Sequence, residues 1–396
     1  VNIVLSIEAI RPPLAGIGRY AWELATRLPA QPGITSVRYL SDGFWRELPR
    51  IEQGHTQLPV VSARSVQPAR PGYKDRLRQQ LGRMEAFSRL YGKILPVLTG
   101  YQLNRVSSNS LFHSPNYFVP ESRLPSLVTI HDLSVYRYPD WHPKSRVVRM
   151  RTAIPEAIAR ADLVITDSLA TRLEVLQEFG LKEEQVQAVP LGVDEVFHPY
   201  TATDIAPILK EFGLQPDGYS FFVSTIEPRK NLTHLLAAYR GLPQQLRDRW
   251  PLVLVGGEGW QSKAIHDEME KAQREGWLKY LGFVDQQLLP ILYAGCRLFT
   301  YPSWYEGFGL PIAEAMASGV PVLTSNCSSM PEVAGGAAML VDPADVESIR
   351  NGLRQALEDE DWRATAKARG LQRAAELTWD ACVRNTVAAY QLVQSG

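Results

Sequence analysis

The sequence predicts an α/β protein of two domains, each a parallel sheet covered by helices on both faces. Three observations carry that prediction. The chain has 396 residues, too many for one core of ordinary size and about right for two. Short β-branched or aromatic runs alternate with amphipathic stretches, most regularly after Ser220, and β-α repetition of that kind builds parallel sheets. Between Val193 and Asp217 the period fades across Pro199, Pro207, Gly213 and Pro216, as it does in a linker.

Along the chain, the first strand is Asn2 to Ile7. A helix from Gly16 to Leu28 connects it to a strand at Val37 to Leu40, and further strands fall at Leu127 to Ile130 and Leu163 to Thr166. Past the linker, the strand Phe221-Phe222-Val223 leads into an amphipathic run from Leu232 to Leu242 and then the strand Leu252 to Val255. Strand-like Tyr280 to Val284 precedes a helical run to Ala294, and Arg297 to Tyr301, Val320 to Leu323 and Ala338 to Val341 complete the second set. The run from Trp379 to Gln394 has helical spacing and is expected to cross back onto the first domain. The expected boundaries are 1–198, 199–376 and 377–396.

Residues 70–105 stand apart. Eight basic side chains (Arg70, Lys74, Arg76, Arg78, Arg83, Arg89, Lys93, Arg105) meet only Asp75 and Glu85 there. Leu77, Leu81, Met84, Phe87, Tyr91, Ile94 and Leu95 recur at helical spacing, as in a helix resting on an anionic membrane. The plainer alternative is a helix whose apolar face packs on its own domain.

Composition narrows the function. With 45% hydrophobic and 21% charged residues the chain is neither disordered nor membrane-embedded. Forty-two basic residues balance 42 acidic ones, so the field that draws nucleic acid is missing and no nucleic-acid partner is expected. The balance is uneven along the chain: 24 basic and 19 acidic residues in 1–200 leave 18 and 23 in 201–396, or +5 against −5. Such a basic half suits an anionic partner. Cys296, Cys327 and Cys382 lack metal-ligand spacing and are too few for a disulfide framework, which fits a reducing compartment. No apolar run approaches the roughly 18 to 20 residues of a spanning helix. The expected location is the cytoplasm, with the inner face of the cell membrane as the site of any surface contact.

The strongest local signal is Glu306-Gly307-Phe308-Gly309-Leu310-Pro311-Ile312-Ala313-Glu314, after the strand ending at Tyr301. Its glycines let backbone approach a ligand, and Pro311 suits the first turn of a helix whose free N–H groups and positive dipole end face an anion. The segment reads as a phosphate cradle. Glu314, about one turn inside that helix, can accept hydrogen bonds from a ribose 2′,3′-diol, while Glu306 lies nearer whatever hangs off the phosphates. For this motif alone, a glycine-rich turn with two solvated acids is the competing reading. The second signal, Glu227-Pro228-Arg229-Lys230-Asn231, puts adjacent cations at the carboxyl end of a parallel strand, where open α/β sheets bind ligands. Together they describe one pyrophosphate gripped from two sides.

Those segments do not stand alone. With Val253-Leu254-Val255-Gly256-Gly257, Gly319-Val320-Pro321-Val322, Thr129-Ile130-His131-Asp132, Thr166-Asp167-Ser168 and Val189-Pro190-Leu191-Gly192-Val193-Asp194, the chain resembles a known family over nearly its full length. It is similar to the retaining, nucleotide-sugar-dependent glycosyltransferases of the GT-B fold, two facing Rossmann-like domains, in the group called family 4 or group 1. The Glu-Pro-Arg-Lys-Asn form looks like the mannosyltransferases of bacterial surface polysaccharide and lipopolysaccharide biosynthesis.

The resemblance implies roles for matching residues. Arg229 and Lys230 would bind the donor diphosphate, Glu314 its ribose, and the amides of Gly307, Phe308, Gly309 and Leu310 the phosphates and sugar. Glu306 would contact sugar hydroxyls near the anomeric centre, and His131 would reach across the cleft to the donor sugar. Gly16 and Gly18, in a glycine loop after the first strand, would lie near the acceptor and the phosphates. Many relatives carry another arginine six residues before the phosphate lysine; here that residue is Ser224, so no third cation is carried over.

The expected chemistry is transfer of a hexose to a saccharide or lipid-linked saccharide. Fixed cations and helix dipoles at the departing diphosphate stabilise the leaving group, so neither a metal nor any cofactor besides the donor is expected. Asp359-Glu360-Asp361, the only Asp-x-Asp, sits in a charged helical stretch and reads as a solvated face. Retention is expected by resemblance; front-face attack and a covalent carboxylate intermediate both remain open. Asp285, at a strand end, could accept both N–H groups of a guanine edge, which favours GDP-mannose or a GDP-deoxyhexose over UDP-sugars.

Three rivals exist. Gly16-x-Gly18-x-x-Ala21 followed by Asp42 imitates a dinucleotide fingerprint, but Glu8 to Ala15, with Pro12 and Pro13, separates the strand from the first glycine. A catalytically idle sugar- or nucleotide-binding protein of the same fold is the second, and a sugar phosphorylase the third.

Overall fold

The computed structural model describes residues 1–12, 14, 16–51 and 85–395. They form two sheets. The first has seven strands in the order β3-β2-β1-β4-β5-β6-β7: β1 (Asn2–Ser6), β2 (Ser36–Ser41), β3 (Phe44–Arg46), β4 (Ser110–Ser114), β5 (Ser126–Ile130), β6 (Leu163–Thr166) and β7 (Val186–Ala188). Only β3 runs antiparallel, folding back on β2 through Asp42 and Gly43, whose φ values of 52° and 75° suit a tight hairpin turn. The second sheet has six parallel strands in the order β10-β9-β8-β11-β12-β13: β8 (Ser220–Val223), β9 (Leu252–Val255), β10 (Leu278–Tyr280), β11 (Leu298–Tyr301), β12 (Val322–Ser325) and β13 (Met339–Val341). Strands β5, β6, β9, β11 and β12 are buried at every position, as strands covered on both faces are.

The strand order fixes where a ligand can sit. The strands stay parallel, but the order in which they are added reverses between β8 and β11 in the second sheet, and between β1 and β4 in the first. In open parallel sheets that reversal leaves a crevice outside the carboxyl ends of the strands. The segments following β8 and β11 are those of Arg229 and of the glycine cradle.

Several elements differ from the sequence reading. The aperiodic linker contains the helix Ala202–Glu211, capped by Thr201 and burying Ile205, Ile208 and Leu209; Pro207 inside it breaks the pattern that would have shown it. Strand β10 stops at Tyr280, short of the Val284 expected, as Gly282 turns to φ 68°. Strand β4, Ser-Leu-Phe-His-Ser, is too polar to read as a core strand, yet it is buried between β1 and β5. His113 there is satisfied by the Tyr390 hydroxyl at 2.7 Å and Thr129 Oγ1 at 2.9 Å. Of the segment 70–105, residues 70–84 lie outside the described residues. The remainder forms the helix Glu85–Leu103, on which Ile94, Val97, Leu98 and Tyr101 are exposed.

The C-terminal helix Trp379–Ser395 packs on the first domain. Tyr390 reaches His113, and Asp380 accepts from Arg27 at 2.6 Å. The crossing point is tight. Val193 N–H donates to Leu377 O at 2.9 Å, and a Cβ on Gly192 would fall 2.0 Å from Trp379 N. Only glycine fits there.

Candidate active site

The turn after β8 is a short 3₁₀ segment, Pro228–Lys230, ending at Asn231 in the left-handed region with φ 57°. The Asn231 amide donates to Pro302 O at 3.0 Å and Pro343 O at 2.8 Å, tying this turn to the loop after β11. That tie places both cations against Glu306. Arg229 Nη1 donates to Glu306 Oε2 at 2.9 Å and Lys230 Nζ to Glu306 Oε1 at 2.7 Å. Arg229 also pairs with Glu227 at 2.9 Å, and Lys230 donates to the Tyr301 hydroxyl at 2.7 Å.

Electrostatics follow from that geometry. Burial pushes the Glu306 carboxyl up, but Arg229 and Lys230 outweigh it and hold it at about 2. Burial also lowers Lys230, helped by the neighbouring Arg229, while Glu306 and Glu227 work against both. The site is a desolvated, charge-rich crevice whose cations are balanced by the carboxylates of Glu227 and Glu306.

The cradle occupies the loop after β11. Gly309, at φ 106°, caps the helix Leu310–Ala317, with Pro311 in its first turn. Among the described residues, the N–H groups of Phe308, Gly309 and Leu310 have no protein acceptor. Buried amides are almost always paired, so an unmatched row at a helix start is suited to an anion. Glu314 accepts from the Tyr293 hydroxyl at 2.8 Å, and burial raises its carboxyl to about 7.

The first domain lies directly across. A Cβ on Gly307 would fall 1.9 Å from the His131 carbonyl oxygen. The His131 ring itself is turned into its own domain, with Nδ1 2.7 Å from Asp167 and Nε2 3.1 Å from Pro115 O. Burial would lower its pKa, but the Asp167 carboxylate raises it, and two acceptor partners suit a ring that carries both protons. It is thus the carbonyl of His131, not the ring expected from the sequence, that faces the cradle. Gly16 caps the helix Ile17–Arg27, and a Cβ on Gly18 would meet Ala9 O at 2.8 Å. Gln286 donates to Leu14 O from across the cleft, which brings the glycine loop beside the turn of Asp285. Asp285 is exposed and caps that turn, accepting from Gln287 N at 3.0 Å.

Other features weaken the rival readings. Strand β1 ends at Ser6 and the first helix starts at Ile17, so no strand runs straight into Gly16, and Asp42 belongs to the hairpin turn. Asp359 caps the helix Glu360–Glu376 and Glu360 pairs with Arg297, so two members of the Asp-x-Asp serve structural ends. Ser224 adds no charge to the crevice; its hydroxyl donates to Thr225 O. Sequence reading missed the partners that come from distant segments: Tyr293 for Glu314, Tyr301 for Lys230, and Ser168 with Thr171 on Gly307. No linear spacing connects them.

Comparison with known proteins identifies the family. Residues 207–373 match the family model described as glycosyl transferases group 1, and residues 14–197 match that described as glycosyltransferase family 4. The O-antigen chain mannosyltransferase B of Escherichia coli is 36% identical over 99% of this chain and 100% of its own length. The MMP alpha-(1->4)-mannosyltransferase of Mycolicibacterium hassiacum is 30% identical over 61% of this chain and 55% of its own. Among solved structures, sucrose-phosphate synthase from Thermosynechococcus elongatus superposes with a TM-score of 0.70 at 21% identity, covering 100% of this chain and 99% of that one. Anabaena HepE in complex with UDP and glucose superposes with a TM-score of 0.68 at 19% identity, covering 98% and 99%. These two likenesses show the GT-B fold.

Proposed function

The chain belongs to the group 1, family 4 glycosyltransferases, and from that membership we propose that it transfers mannose from GDP-mannose to a growing surface polysaccharide. The acceptor in this reading is a saccharide or lipid-linked saccharide. The observation that carries the donor half is the crevice at the β8/β11 reversal, where Lys230 and Arg229 both bond Glu306, the residue that opens the cradle with the unmatched amides of Phe308 to Leu310. The likeness to O-antigen and other mannosyltransferases supports the sugar.

Breaking the anomeric bond leaves an oxocarbenium-like sugar and a nucleoside diphosphate whose charge grows toward the transition state. Cations and amides fixed in place stabilise that growing charge without reorganising, so the transfer proposed needs no metal and no cofactor besides the donor. Glu314 receives the ribose hydroxyls, Glu306 and the His131 carbonyl face the sugar, and Gly16 and Gly18 border the phosphates and acceptor. With configuration retained, the acceptor attacks on the face the phosphate leaves, and the departing phosphate oxygen takes the acceptor proton. The free oxygen of Asp285 is assigned to the guanine edge, which makes GDP the preferred nucleotide. Among the described residues no helix is long and apolar enough to cross a membrane. The exposed apolar face of the helix Glu85–Leu103 supports a cytoplasmic enzyme that touches the inner membrane surface.

Isothermal titration with GDP and UDP, followed by transfer assays with GDP-mannose and UDP-glucose, tests the reading. Tighter GDP binding with mannose incorporated at retained configuration is expected; tighter UDP binding with glucose transfer would replace the donor. Flotation with anionic liposomes is expected to carry the protein, and no dependence on anionic lipid would remove the membrane contact.

A further inference from the structure

The first domain supplies side chains that act on the cradle itself. The carbonyl of Gly307 accepts two hydrogen bonds from across the cleft, from Ser168 Oγ at 2.7 Å and Thr171 Oγ1 at 3.1 Å. All three residues are buried. In a trans peptide the C=O and the following N–H point in opposite directions. Pinning the Gly307 carbonyl toward the first domain therefore turns the Phe308 N–H away from it, back to the crevice of the second sheet.

A reciprocal contact sits beside this one. Glu332, from the second domain, accepts the N–H groups of Leu169 at 2.9 Å and Ala170 at 3.1 Å, the first turn of the helix Leu169–Phe179. Ser168 is the cap of that same helix, its Oγ accepting from Thr171 N at 3.1 Å while its own proton goes to Gly307. One short stretch thus both grips the cradle and is gripped by the domain that carries it.

We propose that Ser168 and Thr171 are positioning residues for the transfer reaction: held to the Gly307 carbonyl from the first domain, they aim the Phe308 to Leu310 amides at the donor diphosphate, so the anion site is complete only when the domains are closed. This rests on the reading of those amides as the phosphate site. Lys230 and Arg229 belong to the second domain and attract the donor in an open cleft; the aimed amides are added on closure. Their contribution then falls on the transition state, where leaving-group charge is largest, more than on the bound ground state.

Thr171→Val tests this cleanly because it is isosteric and leaves the Ser168 cap in place. Steady-state turnover of GDP-mannose, with UDP-glucose run alongside, onto an α-mannosyl oligosaccharide is the readout. In Thr171→Val kcat is expected to fall on the order of tenfold, and in Ser168→Ala/Thr171→Val on the order of 100-fold, with KM for the donor nearly unchanged. Thr171→Ser, which keeps the hydroxyl, is expected to restore kcat. Since Ser168→Ala also removes a helix cap, the single Thr171 variants decide the matter if the double variant is unstable. Wild-type kcat in Thr171→Val, an equal loss in Thr171→Ser, or a loss confined to KM would overturn the positioning role. Wild-type protein that neither binds nor turns over either sugar nucleotide would overturn the phosphate reading beneath it.

Discussion

Lys230 concentrates the chemistry of the crevice in one side chain. It is buried and bonded to Tyr301 and to Glu306, the residue at the start of the cradle. Lys230→Met is expected to lower kcat by about 10²- to 10³-fold, the usual cost of removing one fixed donor from a developing oxyanion. Glu314 makes a second prediction. Its carboxyl is raised to about 7 by burial, so donor binding through the ribose should strengthen as pH rises through 7, and in Glu314→Gln it should be flat. Folding runs the other way. An acid with a raised pKa keeps its proton in the folded state after the unfolded chain has lost it, so wild-type stability falls as pH rises from about 4.5 to about 7. Thermal melts at pH 5 and 8 check this: the melting temperature of Glu314→Gln relative to wild type should be higher at pH 8 than at pH 5. At this scale the sequence was informative where one segment holds a whole device, as in Glu306 to Glu314 or Arg229-Lys230. It was silent on the contact between Ser168 and Gly307, 139 residues apart, because only the closed fold brings them together.

Elements show the same division. Apolar strands such as Leu252–Val255 and Leu298–Tyr301 declare themselves, being buried on both faces. Strand β4 does not, since its His113 is satisfied by partners from other segments, Thr129 on β5 and Tyr390 on the C-terminal helix, while Ser114 donates locally to Asn116 O. The helix Ala202–Glu211 was hidden by Pro207, which a helix held by Ile205, Ile208 and Leu209 tolerates. The junctions between elements depend on glycines with no room for a side chain. Gly192→Ala would drive a Cβ into Trp379 N and should detach the C-terminal helix from the first domain. Faster hydrogen exchange over residues 379–395 with a lowered melting temperature is expected, on the order of 1–3 kcal/mol of lost stability. Unchanged exchange there would mean the crossing can relax.

The whole molecule is a closed pair of lobes. Trp260 donates to Trp141 O, Gln261 to Asp140 O at 3.1 Å, and the Tyr305 hydroxyl to Glu174 at 2.5 Å while accepting Leu133 N–H at 3.1 Å. These hydrogen bonds bridge the lobes beside a hydrophobic core whose buried residues come from both sheets, among them Leu5, Leu127 and Ile165 with Phe221 and Leu252, so the clasp is expected to open more readily than that core. Trp260→Ala is expected to increase the radius of gyration in small-angle scattering, and donor binding to reduce it again; equal values for variant and wild type would mean this clasp does not hold the cleft. Two domains were legible from length and β-α repetition, and their facing arrangement was implied by the family resemblance, whereas the contacts that close them were not legible, since they join residues without periodicity. The central claim is that one nucleoside diphosphate is held at the β8/β11 reversal, and a crystal structure with bound GDP-mannose tests it most directly. The phosphates should lie within hydrogen-bonding distance of Lys230 and the Phe308 to Leu310 amides; a nucleotide seated against Gly16 to Gly18 with that crevice empty would contradict it.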